Sequence, residues 1–582
     1  MLNVAARVAG AARLPRVYAA ERISPTAAAV DCAFLGVVVC ASLVVYVGHL
    51  GFYLDDYAVL ERMQAAREHT LGALYDAVRP ATGQRPLQAL TFAVLFRLFG
   101  LHALGYHLSN AALLVAIAAF LYLVLRELRL PRLVCVSVPL VYSTLPHYST
   151  NRFWLDAFQI NVSSFFYLLS LYAALRAVRA PLAQLIVWLA LAVLGIAASL
   201  FAYEVIFPLF ALNVVLVWWS GQRQPEGQIG RRKKTVFVAA ALVLAILVAG
   251  AIKTAVVADR GQNSYQIGFQ DGFLHHFAYL IAGAVKLNVG TYFLALPYVV
   301  WWIFRHHFSL ASSAAAAATG ALVFAYLFAL GRRDREFLGD GRVWRALVSV
   351  GLIVVVLGYA IFITNRYILF RSAGIDNRVN AGAALGIAGL LVGGTGWLAE
   401  RVSPRLRLSL FAGSLACAVA IGVLVIDTLG SYWTAAAREQ RAVVSAVSRA
   451  SGSLAPPSTV ILDGTCPEIG PGVVFAHQWD FRSALELHYG DPSLKADVAA
   501  ERMQATRRGI AVYMTFIGRV TTRNYPYSHS LYVFDPARRR LYPLPDRPAA
   551  EAYIDRVRPS FRCPPLRSFA WGFDPERRLS LL

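Results

Sequence analysis

Two adjacent carboxylates, Asp55 and Asp56, stand directly after the first long apolar stretch, in the run Gly51-Phe52-Tyr53-Leu54-Asp55-Asp56-Tyr57. Ionised groups at the mouth of a membrane span are costly and persist where something uses them: a proton to accept, a cation site or a counter-ion. The bland alternative is the solvated start of a loop. Other polar groups recur at the ends of later apolar stretches: Arg85, His107, Arg152, Glu204, the run Thr364-Asn365-Arg366-Tyr367, Arg371 and Asp376-Asn377-Arg378. Guanidinium groups match the geometry of phosphate oxygens. A carboxylate pair beside such arginines is equipment for group transfer from a phosphate-linked donor.

The elements that must hold these groups are membrane helices. Of 582 residues, 58% are hydrophobic and only 15% are charged, against about 25% charged in soluble domains. Several apolar stretches approach the roughly 20 residues that a helix needs to cross the hydrocarbon core. The expected fold is an all-α polytopic membrane protein of about 11–13 crossings, with a small C-terminal α/β domain. The net charge of +22 falls in short clusters between apolar stretches, such as Arg231-Arg232-Lys233-Lys234 and Arg332-Arg333. That pattern marks cytoplasmic loops and attraction to anionic lipids, not nucleic-acid binding. Arginines near the carboxylates run against the bias, which suggests an anionic ligand.

The chain divides into a basic cytoplasmic N-terminus (1–29), a membrane region (30–430), a linker (431–458) whose Ser/Gly/Pro-rich part is 449–459, and a soluble extracytoplasmic domain (459–582). The first span, too long for a signal-peptide core, reads as a signal-anchor. The loop 53–104 carries an interfacial helix, from Arg85-Pro86 to Gly100. The stretch 277–307 is a crossing, a re-entrant hairpin or an interfacial helix, and an even number of crossings there puts both flanks on one side. In the C-terminal region strands are expected at 459–462 and 510–517, a hairpin across 531–544 and a helix at 481–489. Cys32, Cys40, Cys135 and Cys417 fall in apolar stretches as small hydrophobes. Cys466 and Cys563 are the disulfide candidates, a pairing worth about 4–5 kcal/mol on the chain-entropy model if the domain lies in an oxidising compartment. His275 and His276 read as loop residues.

The order of these features resembles the GT-C superfamily of membrane glycosyltransferases, in the group of the protein O-mannosyltransferases and bacterial lipid and polysaccharide glycosyltransferases. The resemblance covers 30–430. It is carried by one span, the Asp55-Asp56 pair, a loop with an interfacial helix, Arg85-Pro86-Leu87, and Gly105-Tyr106-His107-Leu108-Ser109-Asn110 opening span two. The acidic segment Ser199 to Pro208 around Glu204 and the late loop with Asn365-Arg366-Tyr367 and Asp376-Asn377-Arg378 add to it, although that loop departs from the family's variants. The resemblance implies inverting transfer of a hexosyl or pentosyl group from a polyprenyl-phosphate donor to a hydroxyl of a glycan, lipid or protein, on the extracytoplasmic face of a bacterial plasma membrane. Asp55 is then the expected base, with Asp56 orienting it, binding acceptor or sharing a divalent ion. Arg366, Arg378, Arg371, Arg85 and His107 are expected at the donor phosphate, and Glu204 and Arg152 at the acceptor or in support. No metal ligand set stands out. The rival readings are an O-antigen ligase-like protein and a transporter or flippase for a lipid-linked anionic glycan, using the same arginines without chemistry.

Overall fold

The computed structural model describes residues 24–222, 229–259, 272–332, 337–364, 368–451, 454, 457–499, 502–516 and 519–556. Ten of its helices are long and apolar enough to cross a membrane. The first helix, α1 (Pro25–Ala41), is shorter; Ser24 caps it, accepting from Ala27 N–H, and proline opens it. The segment expected as one loop with one interfacial helix contains three helices: α2 (Asp55–Gln64), α3 (Leu71–Thr82) and α4 (Pro86–Phe99). The last is the expected interfacial helix, with Arg85 as N-cap and Gly100 at φ +54° as C-cap, a conformation that favours glycine.

The bundle follows as α5 (Ala103–Glu127), α6 (Arg132–Thr144), the single turn α7 (Thr150–Phe153), α8 (Leu155–Arg179), α9 (Leu182–Ala202), α10 (Phe210–Gln222) and α11 (Ile229–Asp259). Beyond α12 (Phe273–Val285) and α13 (Leu296–His306) come α14 (Leu310–Gly331), α15 (Gly341–Ala360), α16 (Ala381–Glu400) and α17 (Pro404–Ser451). At one end of the bundle, buried Asp31 of α1 pairs with Arg132 of α6 at 2.7 Å and accepts from Tyr122 and Tyr326 hydroxyls at 2.6 and 2.5 Å. That satisfied cluster ties four helices together, as a buried carboxylate requires. Glu127 with Arg176 and Arg179 lies at the same turn between helices. Near the opposite end, Arg152 and the run Pro146–Phe153 are buried within protein, the only setting in which irregular backbone is tolerated at membrane depth.

α15 and α16 approach backbone to backbone. A Cβ on Gly386 would lie 2.4 Å from the Gly351 carbonyl oxygen, and one on Gly358 2.4 Å from the Ala383 amide nitrogen. Small residues at such crossings let helices pack without side chains between them.

Two segments are defined more closely. The stretch 273–306 is α12, a π-helical turn over Lys286–Leu294 and α13. Length and composition would let Phe273–Leu294 cross a membrane. His276 meets the Phe362 carbonyl at 2.9 Å, Tyr292 donates to the Ser372 carbonyl at 2.7 Å, and His307 meets the Tyr432 hydroxyl at 2.6 Å. Phe362 and Ser372 flank the approach to the turn that carries Arg378, and Tyr432 adjoins Trp433, whose carbonyl accepts from Tyr53. Second, the last long helix does not end near 428–430. α17 runs unbroken for 48 residues to Ser451, so most of the expected linker is helix.

The C-terminal region is α/β. Strand β1 (Thr459–Leu462) pairs in parallel with β4 (Lys495–Val498) and β8 (Leu531–Asp535), and β8 turns back into β9 (Arg540–Pro543). Helix α18 (Gln478–Tyr489) connects β1 to β4, after the small hairpin β2 (Glu468–Ile469) and β3 (Gly472–Val473). A second, antiparallel sheet is β5 (Arg502–Ala505), β6 (Gly509–Phe516) and β7 (Arg519–Pro526), and α19 (Arg547–Arg556) closes the described chain. Arg523 and Tyr525 of β7 both bond Asp497 of β4, at 2.5 and 2.8 Å, joining the two sheets. The strands and helix expected here are present, with the helix starting three residues earlier.

Candidate active site

Asp55 opens α2 behind Leu54, whose φ of +49° is a strained conformation for a branched residue. The turn is held from three sides. Tyr53 donates its hydroxyl to the Trp433 carbonyl at 2.8 Å, Trp154 Nε1–H donates to the Tyr53 carbonyl at 3.1 Å, and His107 Nε2 lies 2.9 Å from the Gly51 carbonyl. A carbonyl only accepts, so His107 carries its proton on Nε2 and serves the turn. The expected role of His107 at a phosphate has no geometric support, because its side chain is buried and spent on backbone.

The two carboxylates do different work. Asp56 is 1% exposed; one oxygen accepts from Tyr53 N–H and the other from Asp156 N–H, each at 3.0 Å. It fastens the start of α2 to the start of α8, and burial pushes its carboxyl up while those two N–H groups hold it down. Asp55 is partly exposed. Its Oδ1 accepts from Trp479 Nε1–H of α18 at 2.8 Å, and Oδ2 carries no hydrogen bond among the described residues. Burial, and then the neighbouring Asp156 charge, push Asp55 up to about 6, against the opposing pull of Trp479 and Arg378.

Arg378 sits on the short helical turn Ile375–Asn380. Its neighbour Asn377 fixes that turn: the side-chain carbonyl accepts from Thr150 N–H at 3.2 Å, and the amide donates to Tyr292 and the Ser372 carbonyl, both at 2.9 Å. Asn380 is held in turn by Tyr359 at 2.8 Å. Arg378 itself lies over the Trp154 ring at 4.8 Å and makes no hydrogen bond or ion pair among the described residues. A guanidinium stacked on an indole but unpaired is poised for an anion. Its charge reaches both Asp55 and Asp156. Asp156, at the first turn of α8, accepts from Gln88 at 2.5 Å.

Arg85 is placed otherwise than expected. It forms a two-point bond with Glu204, at 3.0 and 2.5 Å, and stacks 3.8 Å over Tyr203; Lys253 lies 3.5 Å from the same carboxylate. Arg85 and Glu204 therefore neutralise one another, joining α4 to the turn after α9. Arg152, 2% exposed, donates to Ser42 Oγ at 3.2 Å and to the Ser143 carbonyl. It is part of the bundle interior. Arg371 is exposed and pairs with Asp376 at 3.4 Å, near Glu468 of the C-terminal domain, whose carboxyl burial raises to about 7. Arg366 and Cys563 lie outside the described residues, so neither the Arg366 assignment nor the Cys466–Cys563 pairing has a geometry; Cys466 is half-buried.

The site thus joins Asp55, Asp156, Trp154, Arg378 and Trp479. Of these, only Asp55 and Arg378 stood out in the sequence as catalytic or binding groups. Asp156 lies in a polar aromatic run whose arginine drew attention instead, and Trp479 carries no local signal, being 424 residues from its partner. Among the described residues no group of three or more His, Cys, Asp or Glu side chains converges as a metal site. Each Asp56 oxygen accepts one backbone hydrogen bond. No protein-family model matches the chain, and no curated protein compared with it matches either.

Proposed function

We propose that the chain is an integral membrane glycosyltransferase that moves a sugar from a polyprenyl-phosphate donor to a hydroxyl acceptor, with inversion. The observation that carries the reading is the meeting of a carboxylate tuned to about 6, Asp55, with an unpaired guanidinium, Arg378, at the end of a helical bundle. A base of that strength is mostly ionised at neutral pH yet still takes up a proton, the compromise that general base catalysis needs. Asp55 Oδ2 accepts the proton of the acceptor hydroxyl as its oxygen bonds to the anomeric carbon. The bond from that carbon to the phosphate oxygen breaks, and its electron pair leaves on polyprenyl phosphate, where Arg378 meets the charge. Asp156 keeps the base strong by raising the cost of its ionised form.

Ten membrane-length apolar helices support the membrane assignment, and a lipid-linked donor needs a bilayer. In this reading, nine of the ten helices cross together with the shorter α1 and α6; Phe273–Leu294 stays at the Asp55 end. Eleven crossings set Asp55 and the C-terminal domain on the face opposite the N-terminus. The transporter reading draws on Arg152 and Asp427, which interact inside the bundle. Transfer from radiolabelled polyprenyl-phosphate sugars into a membrane extract separates the two. Glycosyl transfer requires loss of turnover in Asp55→Asn with donor binding kept, whereas a transporter binds and moves its cargo unchanged in that variant.

A further inference from the structure

We propose that Trp479 is a positioning residue for Asp55, so that the site is complete only while the C-terminal domain is docked on α2. Its functional meaning rests on the glycosyl-transfer reading; its physical content does not.

The bond itself is specific. An indole N–H donates and cannot accept, so Trp479 bonds the carboxylate at Oδ1 and leaves Oδ2 for a substrate hydroxyl. The indole is also fixed more firmly than a half-exposed tryptophan needs to be. The His477 ring stacks on it at 4.3 Å and 21°. Asp480, three residues after that histidine, accepts from Ala476 N–H at 2.8 Å and from His477 N–H at 3.2 Å, locking the turn from which α18 starts. That turn is fastened to the bundle one strand earlier: Gln440 of α17 donates to the Val474 carbonyl at 2.7 Å and accepts from Tyr57 of α2 at 3.2 Å. Tyr57 also packs against Phe475, with ring centres 6.0 Å apart. Three contacts therefore set α18 against the helix whose first residue is Asp55. Among the described residues no other group donates to Asp55, so its orientation is delegated to the domain.

The charged groups that face Asp55 are Asp156 from α8, Arg378 from the late turn, Asp480 from α18 and Asp56 beside it. Removing only the indole N–H leaves all four in place, which makes Trp479→Phe the informative change. The readout is the carboxyl band of Asp55 in infrared pH titration of the full-length protein, identified by its disappearance in Asp55→Asn. We expect the midpoint to move up by about one pH unit in Trp479→Phe, because a hydrogen bond to the charged form is lost. The acid limb of transfer activity should move with it. Trp479→Ala should show the same shift, and thermal unfolding of both variants checks that the domain stays folded; if alanine loosens it, phenylalanine decides. A midpoint unchanged in a folded Trp479→Phe protein overturns the proposal, even if the wild type transfers sugar. A shifted midpoint in a protein that transfers nothing supports the positioning role and removes the glycosyl-transfer reading instead.

Discussion

At the scale of single residues, adjacency proves a poor guide to shared function. Asp55 and Asp56 are neighbours in sequence, but one faces an open position and the other is consumed by two backbone N–H groups. Their variants should differ accordingly. Asn at 56 keeps one acceptor oxygen and turns its NH2 toward the second backbone donor. Asp56→Asn therefore leaves that N–H unsatisfied, at about 1–3 kcal/mol, and thermal unfolding should record the loss. For Asp55 the sign is clear. Its folded value, about 6, stands above the ordinary value of 3.8, so the basic form accumulates only as pH rises through 6. The initial rate at low substrate should climb through that pH and level off above it, and Asp55→Asn should cost on the order of 10²–10⁴ in rate. A flat profile between pH 5 and 7.5 would remove Asp55 as the base. The pairing of Arg85 with Glu204 carries the same lesson: each was singled out as a functional charge, and the structure joins them to one another.

At the scale of elements, hydropathy made the bundle legible because a crossing helix must be apolar over most of its length. It made the C-terminal α/β region legible too, since β1, β6 and the β8–β9 hairpin are short alternating or β-branched runs bounded by turn residues. Two of the three short helices in the first loop, α2 and α3, were less visible. Leu71–Thr82 contains Pro80 and has no apolar run of its own, and its burial is supplied by α2 and α4. The continuation of α17 was hidden for a related reason. Beyond residue 430 its exposed face turns polar, as in Arg438, Arg441 and Arg449, while Trp433, Ala437, Gln440 and Val447 remain buried. Composition alone reads such an amphipathic continuation as a linker. The segment 273–306 offers a direct check. Cysteines replacing exposed His275 and Arg305, in a background without the native cysteines, should both react with a membrane-impermeant thiol reagent from the same side. Reaction from opposite sides would show that the segment crosses.

At the scale of the whole molecule, the candidate site is a junction between two bodies, and no local pattern announces a contact made across 424 residues. Buried acids cluster on the domain's side of that junction: burial lifts Glu468 to about 7 and Asp480 to about 8. Both values exceed those of the unfolded chain, so the folded domain holds these protons more tightly. Stability from this source is fully present below the unfolded values, near pH 4, and is lost as pH rises through 7 and 8. The unfolding temperature of the domain should therefore fall between pH 6 and pH 9, and a constant or rising value would contradict the burial of these two groups. The 48-residue α17 has a mechanical consequence. At 1.5 Å per residue it is about 72 Å long, more than twice the roughly 30 Å of a bilayer's hydrocarbon core. The part beyond Trp433 extends about 27 Å, so a tilt of about 10° swings its tip by about 5 Å. Helices tilt when the bilayer thins or thickens around them. Transfer rates in vesicles of 14-, 18- and 22-carbon acyl chains should then pass through a maximum, with bilayer thickness acting as a tuning screw on the seat of the indole above Asp55.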